Sequence, residues 1–153
     1  MAEGVLSGKR LGVIGGGKMG EAIVRAAISA ELLTPSAITV SDPFAERRDV
    51  FTALGTAVGS DNVAAVKASD IVMLAVKPQQ MGDVLSGLAE AISTEQFVVS
   101  IAAGITTARI EGALQSGVRV VRVMPNTPMQ VGRGAAALAK GTHATDADME
   151  AVK

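Results

Sequence analysis

The chain has 153 residues and a formal net charge of −1, which leaves no basic excess for a nucleic-acid partner. It has no cysteine, so disulfides, thiolate metal sites and a cysteine nucleophile are excluded. Hydrophobic residues make up 48% of the chain, but no apolar run approaches the ~18 residues of a membrane span, and residues 1–9 lack a signal-peptide core. We therefore expect a cytoplasmic protein without membrane or nucleic-acid partners.

Apolar runs of strand length alternate with segments that have helical spacing of apolar residues. Pro43 is suited to start the second helix, Gly55 to end it, and Asp61 to cap the third. In chain order, we predict strand 10–14, helix 19–32, strand 37–41, helix 44–54, strand 56–58, helix 62–67, strand 70–76, helix 79–92, strand 97–101, helix 107–115, strand 118–123 and strand 134–139.

This alternation predicts an α/β fold with a doubly wound, mostly parallel sheet and helices on both faces. Aromatic residues are only 2% of the chain, and an aliphatic core suits a parallel sheet buried on both faces. No linker or repeat interrupts the pattern, so we assign residues 1–153 to one domain. A further helix starts near 148 and stops with the sequence, so we expect the protein to continue beyond Lys153.

A glycine-rich segment follows the first strand directly: Gly15, Gly16, Gly17, Lys18, Met19 and Gly20, a G-x-G-x-x-G pattern. Gly15 allows a tight turn, Gly17 lets the backbone approach a pyrophosphate, and Gly20 lets the helix pack close to the strand. The pyrophosphate would bind free N–H groups at the helix N-terminus. Its place between a strand and an amphipathic helix favours a Rossmann-type dinucleotide site over a turn that serves packing alone.

The choice of dinucleotide depends on the residues after the second strand. Asp42 lies 22 residues beyond Gly20, where an acidic side chain hydrogen-bonds the adenosine ribose and its charge repels the 2′-phosphate of NADP. Arg47 and Arg48 follow closely and are candidates to hold that phosphate, or else they lie on a solvated helix face. The sequence therefore predicts NADP or NAD as the cofactor and leaves the choice open.

Four segments together resemble pyrroline-5-carboxylate reductase, the last enzyme of proline biosynthesis. They are residues 13–20 (VIGGGKMG), 75–78 (AVKP), 100–104 (SIAAG) and 122–128 (RVMPNTP). The resemblance covers essentially the whole chain, and the combination of segments is more specific than any one of them.

The resemblance implies an N-terminal Rossmann domain, present here, and a C-terminal helical dimerisation domain beyond residue 153. It also implies reduction of the cyclic imine Δ1-pyrroline-5-carboxylate to proline by NAD(P)H. In this family the groups that bind the substrate carboxylate and assist protonation lie in the C-terminal domain. We therefore assign no catalytic residue to this chain, and expect it to bind cofactor but turn over little substrate. A homo-oligomer would form through the missing part.

The resemblance also implies cofactor contacts. Ser41 and Asp42 would face the adenosine ribose, and Asn62 the adenine end. The nicotinamide end would lie against residues that follow the fourth and fifth strands and the sixth strand: Ala75, Val76, Lys77, Pro78, Ala102, Ala103 and Asn126. Family members often have an uncharged residue where Asp42 stands, which again leaves the NADP preference open.

Several of these residues also have simpler interpretations. Lys77 follows a strand at the ligand edge of a parallel sheet, but it also suits a solvated lysine. Asn126 and Thr127, in a proline-stiffened turn, could hydrogen-bond the nicotinamide or the substrate, or else only their own backbone. His143, the single histidine, is expected at the surface, and the acidic residues are scattered helix-face charges without metal-ligand spacing.

Two other functions stay open on the sequence. One is another NAD(P)-dependent dehydrogenase or imine reductase with the same N-terminal fold, such as a β-hydroxyacid dehydrogenase relative; the segment 122–128 favours the proline pathway over it. The other is a non-catalytic sensor domain that binds dinucleotide, because fold alone does not establish chemistry.

Overall fold

The computed structural model describes residues 8–102, 104–125, 136–141 and 144. The strands are β1 (Leu11–Ile14), β2 (Ile38–Ser41), β3 (Ala57–Gly59), β4 (Ile71–Leu74), β5 (Phe97–Ser100), β6 (Arg119–Pro125) and β7 (Ala136–Lys140). The α-helices are α1 (Lys18–Ser29), α2 (Ala45–Ala53), α3 (Asn62–Lys67), α4 (Met81–Leu88) and α5 (Thr107–Ala113). Short 3-10 helices, Pro35–Ala37 and Pro78–Gln80, precede β2 and α4.

The strands form one sheet in the order β3-β2-β1-β4-β5-β6-β7. The pairs from β3 through to β6 are parallel, and β7 runs antiparallel to β6. The predicted doubly wound, mostly parallel α/β fold is therefore confirmed. The strand order reverses between β1 and β4, and in such sheets the ligand crevice opens at the carboxyl ends of the strands at this point.

Two apolar cores, one on each face of the sheet, explain the continuous apolar runs of the strands. Val13 of β1 packs in the core that also contains Val24 of α1 and Phe51 of α2. The neighbouring Ile14 points into the other core, with Leu85 of α4 and Ile110 of α5. The carboxyl ends of the strands are thus held from both sides.

The first helix ends earlier than predicted, and its last residues explain why. The apolar pattern predicts a helix to residue 32, but α1 ends at Ser29 because Glu31 adopts a left-handed conformation with φ 58°. The amides of Glu31 and Leu32 donate to the carbonyls of Ile28 and Ala27, which is the Schellman pattern of a helix C-terminus. The predicted continuation over 30–32 is therefore wrong.

The remaining element predictions are close in position. The helix predicted over 79–92 is split into a 3-10 turn and the shorter α4, and the strand predicted over 70–76 is paired as β4 over Ile71–Leu74. The predicted helix at 148–153 lies outside the described residues. None of the helices in the described part of the chain is long and apolar enough to cross a membrane.

Candidate nucleotide site

The turn that leaves β1 requires glycine at residue 15. Gly15 has φ 101°, and a Cβ atom there would lie 2.9 Å from the carbonyl carbon and oxygen of Ala75. Its amide donates to the carbonyl of Ser41 at 2.8 Å, so the loop starts between the ends of β2 and β4. Both the left-handed backbone and the close approach exclude a larger residue.

Gly20 lets α1 pack close to this turn, as the pattern predicts. A Cβ atom there would lie 3.1 Å from the carbonyl oxygen of Gly15 and 3.4 Å from the Cβ of Ala75. Gly20 is buried within the first turn of α1. The N-terminus of the helix is therefore held directly beside the carboxyl ends of β1 and β4.

Gly17, by contrast, faces open space. It is the N-cap of α1, it is exposed, and a Cβ atom built on it would have no protein atom within 4 Å. The amide of Glu21 donates to the carbonyl of Gly17, so the amides of Lys18, Met19 and Gly20 precede the first intrahelical bond. These amides, with the helix dipole, fit an anionic diphosphate, and the residues present fit the dinucleotide implied by the sequence pattern.

Asp42, predicted to contact the adenosine ribose, accepts backbone hydrogen bonds at the glycine loop. Its Oδ2 accepts the amide of Gly16 at 2.7 Å, its Oδ1 accepts the amide of Phe44 at 2.8 Å, and the residue is 7% exposed. The Gly16 amide is consequently bonded within the protein. Each Asp42 oxygen accepts one backbone amide and keeps a further lone pair, so the contact with a ribose stays a prediction.

Arg47 binds the other backbone polar group of Gly16, its carbonyl. Its Nε donates to the carbonyl oxygen of Gly16, and a terminal nitrogen forms an ion pair with Glu21 Oε2 at 2.8 Å. The guanidinium also lies 6.0 Å from the ring centre of Phe51. The hydrogen bond from Arg47, helped by Arg25, lowers the pKa of Glu21. Arg47, predicted as a cofactor ligand, therefore links α2 to the glycine loop and to α1.

Polar contacts at the carboxyl end of β2 involve Ser41 with Asn62 and, separately, Arg48 with Asp42. Ser41 is buried, and its hydroxyl donates to Asn62 Oδ1 at 2.6 Å. Arg48 donates from Nη1 to the backbone carbonyl of Asp42 at 2.8 Å. Asp61 accepts the amides of Val63 and Ala64 and so caps α3 as predicted, which positions Asn62 at the first residue of that helix.

The residues predicted for the nicotinamide end follow β4 and β5. The amide of Ala75 donates to the carbonyl of Ile14 at 2.8 Å, Val76 is half-buried, and Lys77 is exposed immediately before the Pro78–Gln80 turn. Ala102 is buried, and its amide donates to Ser100 Oγ at 3.3 Å. Ala103, Asn126, Thr127 and His143 lie outside the described residues.

A cleft of about 360 Å³ opens beside Asn62, between the start of α3 and residues 83–88 of α4. Its lining is Ser60, Asp61, Asn62, Val63, Asp83, Val84, Gly87 and Leu88. The cleft therefore adjoins the end of the site at which adenine is predicted to bind.

Sequence reasoning missed Glu21 and Gly12. The sequence predicts only a scattered helix-face charge at Glu21, but its place four residues before Arg25 in the first turn of α1 is a signal for local ion pairing. Residue 12 of β1 requires glycine, because a Cβ atom there would overlap Ser69 Oγ and lie 3.1 Å from the carbonyl oxygen of Ala65. A single glycine within an apolar strand is the available signal for such a close approach.

Comparison with known proteins agrees with this geometry. The family model described as "NADP oxidoreductase coenzyme F420-dependent" matches residues 10–104, more than half of the chain. The chain belongs to this family. The matched segment runs from β1 past β5, and it includes the glycine loop, Asp42, Arg47, Arg48 and Lys77.

Curated relatives and solved structures confirm the resemblance to pyrroline-5-carboxylate reductase. The reductase of Methanosarcina acetivorans is 44% identical over 149 residues, which are 95% of this chain and 54% of the relative. The solved structure of the Coxiella burnetii reductase has a TM-score of 0.86 at 32% identity. The match covers 94% of this chain and 56% of that reductase. The Plasmodium falciparum reductase with NADP bound has a TM-score of 0.84 at 26% identity, with 95% of this chain and 53% of that one covered. The chain spans about half the length of the relatives it matches.

Proposed function

We propose that this chain is the nucleotide-binding part of a pyrroline-5-carboxylate reductase, which reduces Δ1-pyrroline-5-carboxylate to proline with NADPH or NADH. The observation that carries the proposal is the N-terminus of α1. Its first amides precede the intrahelical bonds, and Gly17 has no protein atom around the position of a Cβ. The identity of the substrate in this proposal rests on the 44% identity to the reductase of Methanosarcina acetivorans.

The residues of this chain have binding and orienting tasks in the proposal. The amides of Lys18 and Met19 bind the diphosphate, and the exposed Lys18 side chain adds a positive charge beside it. Ser41 and Asn62 border the ribose, and the cleft at α3 borders the adenine. When bound, the nicotinamide supplies the hydride.

Residues beyond β4 and β5 complete the proposed binding surface. Lys77 and Ala102 follow the carboxyl ends of these strands, where parallel sheets bind ligands. Ala103 and Asn126 are proposed at the same end from the family resemblance. Groups that hold the substrate carboxylate and assist protonation belong to the other half of the reductase, through which we also propose a homo-oligomer.

The proposal is tested by isothermal titration calorimetry of the chain with NADPH and with NADH. We expect saturable binding of at least one nucleotide, and a loss of at least about tenfold in affinity for both in Gly17→Val, because the valine side chain fills the space above the helix amides. Gly112→Val is the matched control, since Gly112 of α5 is also exposed with no atom within 4 Å of a Cβ. Absence of binding by the wild-type chain, or equal affinities in Gly17→Val and wild type, would contradict the proposal.

A further inference from the structure

We propose that Arg122 is a positioning residue for the nicotinamide end of the site. On nucleotide binding, its guanidinium donates to the backbone of residues 101–106, the β5–α5 loop, and holds this loop against the nicotinamide ring. The inference rests on the proposed nucleotide-binding function and concerns a residue that this function leaves without a task. Arg122 belongs to the segment 122–128 that carries part of the family resemblance.

Arg122 lies at the level at which the parallel strands end. The register of the sheet places it beside Ser100, and Ser100 beside Leu74. Ser100 and Leu74 are the last residues of β5 and β4. Val120 packs in the core that contains residues of α4 and α5, and side chains alternate along a strand, so the Arg122 side chain leaves the sheet on that face. Arg122 is therefore at the ligand edge of the sheet, beside the strand from which the β5–α5 loop continues.

The guanidinium of Arg122 has no partner in the described part of the chain. Its Nε is buried without a hydrogen-bond partner, and none of the ion pairs between described residues includes it. Glu111 of α5 is on the same face, but its carboxylate lies against Gly141, where a Cβ atom would be 2.7 Å from Glu111 Oε1. A buried donor without an acceptor costs the folded chain free energy, which indicates a task that begins only when a ligand binds.

The β5–α5 loop has the kind of acceptor that this donor lacks. Ala102 is 3% exposed and packs in the same core as Val120, yet no hydrogen bond between described residues ends on its carbonyl. Its amide reaches Ser100 Oγ at 3.3 Å, which is long for a hydrogen bond of this type. Gly104 has φ 74°, and a Cβ atom there would have no atom within 4 Å. The loop therefore has both an unused buried carbonyl and the space to shift toward Arg122.

A bound nucleotide gives this contact its function. The β5–α5 loop contains Ala102, a predicted nicotinamide contact, so the ring would lie against the loop from the crevice while Arg122 holds the loop from the sheet. Hydrogen bonds from a charged guanidinium are stronger than those between neutral groups and have a fixed geometry. Hydride transfer depends on the distance and orientation of the reacting carbons. Arg122 thus acts on the ring through the loop and contacts neither nucleotide nor substrate.

The test compares Arg122→Met with wild type, using pairs of ligands that differ only in the nicotinamide: NADH with ADP-ribose, and NADPH with 2′-phospho-ADP-ribose. Methionine keeps an unbranched apolar stem in the buried space and removes the donors. In calorimetric titrations we expect Arg122→Met to weaken the dinucleotide by about tenfold and the matching ADP-ribose by less than about twofold. Without ligand, its urea midpoint should be at least as high as that of wild type, because the buried unpaired donor is gone.

Arg119→Met is the matched control on the same strand. The Arg119 guanidinium lies 5.9 Å from the ring centre of Phe97, which packs in the core on the opposite face, so this substitution should leave the affinities for both ligands of a pair unchanged. Hydrogen exchange measures the loop directly. The dinucleotide should slow amide exchange in the β5–α5 loop of wild type and much less in Arg122→Met, whereas the glycine loop, residues 15–20, should be protected in both.

The outcomes separate this inference from the function on which it rests. If Arg122→Met weakens the dinucleotide and ADP-ribose equally, or weakens neither, the task of Arg122 is overturned and the nucleotide-binding function stands. A urea midpoint well below that of wild type would also overturn it, because the guanidinium would then stabilise the unliganded chain. If wild type binds neither a dinucleotide nor an ADP-ribose, both proposals fall.

Discussion

The carboxylate of Asp42 and the guanidinium of Arg47 bind the two backbone polar groups of one residue, Gly16. The first accepts its amide at 2.7 Å, and the second donates to its carbonyl. Asp42 follows β2 and Arg47 lies on α2, so two consecutive elements shape the loop that follows β1. The glycine-rich loop is thus stabilised by specific side chains as well as by its own backbone.

Replacing Asp42 should destabilise the protein through the Gly16 amide. In Asp42→Ala this buried amide loses its acceptor, and we expect the free energy of unfolding to fall by about 1–3 kcal/mol. Asp42→Asn keeps one acceptor oxygen and should lose less. Urea unfolding followed by circular dichroism measures both, since the chain has no Trp or Tyr. Wild-type stability in Asp42→Ala would show that the bond contributes nothing.

Gly15 and Gly17 should respond in opposite ways to alanine. Gly15→Ala places a Cβ against Ala75 and strains a backbone with φ 101°, which should cost about 1–3 kcal/mol of stability. Gly17 has φ −75° and free space, so Gly17→Ala should leave stability unchanged or slightly raised while it weakens nucleotide binding. Thermal unfolding and calorimetric titration of both variants check this. Equal stability losses in the two variants would contradict the prediction.

The contact between β1 and α3 predicts a coupled pair of substitutions. Gly12→Ala would push a methyl group into Ser69, whose hydroxyl is bonded to the Ala65 carbonyl at 2.6 Å, and overpacking of this kind costs about 1–3 kcal/mol. Adding Ser69→Gly removes the obstructing side chain and should recover part of the loss. A double-mutant cycle from urea unfolding measures the coupling, and additive effects would count against this packing.

Glu21 predicts a defined pH dependence of stability. Its pKa is lowered in the folded chain, chiefly by the hydrogen bond from Arg47, so its ion pairs stabilise the fold fully above the unfolded pKa of about 4.3. That contribution is lost as pH falls through the lower folded pKa. We expect Glu21→Gln to be less stable than wild type by about 1 kcal/mol at pH 7, and the difference to be smaller at pH 3. A stability difference that is the same at both pH values would refute the assignment.

The chain itself is expected to bind nucleotide without reducing substrate. Relatives are about twice as long, and in the proposed function the groups that hold the imine lie in the part this chain does not match. Incubation with NADPH and Δ1-pyrroline-5-carboxylate, followed at the nicotinamide absorbance, should show no turnover. Rates comparable with those of a full-length reductase would place the missing groups within these 153 residues.

The fold and the loop could be predicted because their signals are local. Strands buried on both faces have continuous apolar runs, and the tasks of Gly15 and Gly20 follow from the backbone conformation and close approach that the pattern requires. The end of α1 could not be predicted in this way. Ala30 to Leu32 continue the apolar spacing, and only the left-handed conformation of Glu31 ends the helix.

The choice of partners by charged side chains could not be predicted either. Asp42 and Arg47 are 26 and 31 residues from Gly16, and several polar groups lie within reach of each. Which of these a side chain selects depends on the packing of α2 against the sheet, where Phe51 fixes the helix. Residue types and spacing predict that a charge lies near the site, but the direction in which it points follows from the tertiary structure.

The bracing of Gly16 has a consequence for the kinetics of ligand capture. A loop that already has its binding geometry loses little conformational entropy when a ligand binds, so little binding free energy is lost in ordering the loop. Association should then be a single diffusional step without a slow rearrangement. Variants that release Gly16 should bind nucleotide more weakly and should also reach binding equilibrium more slowly.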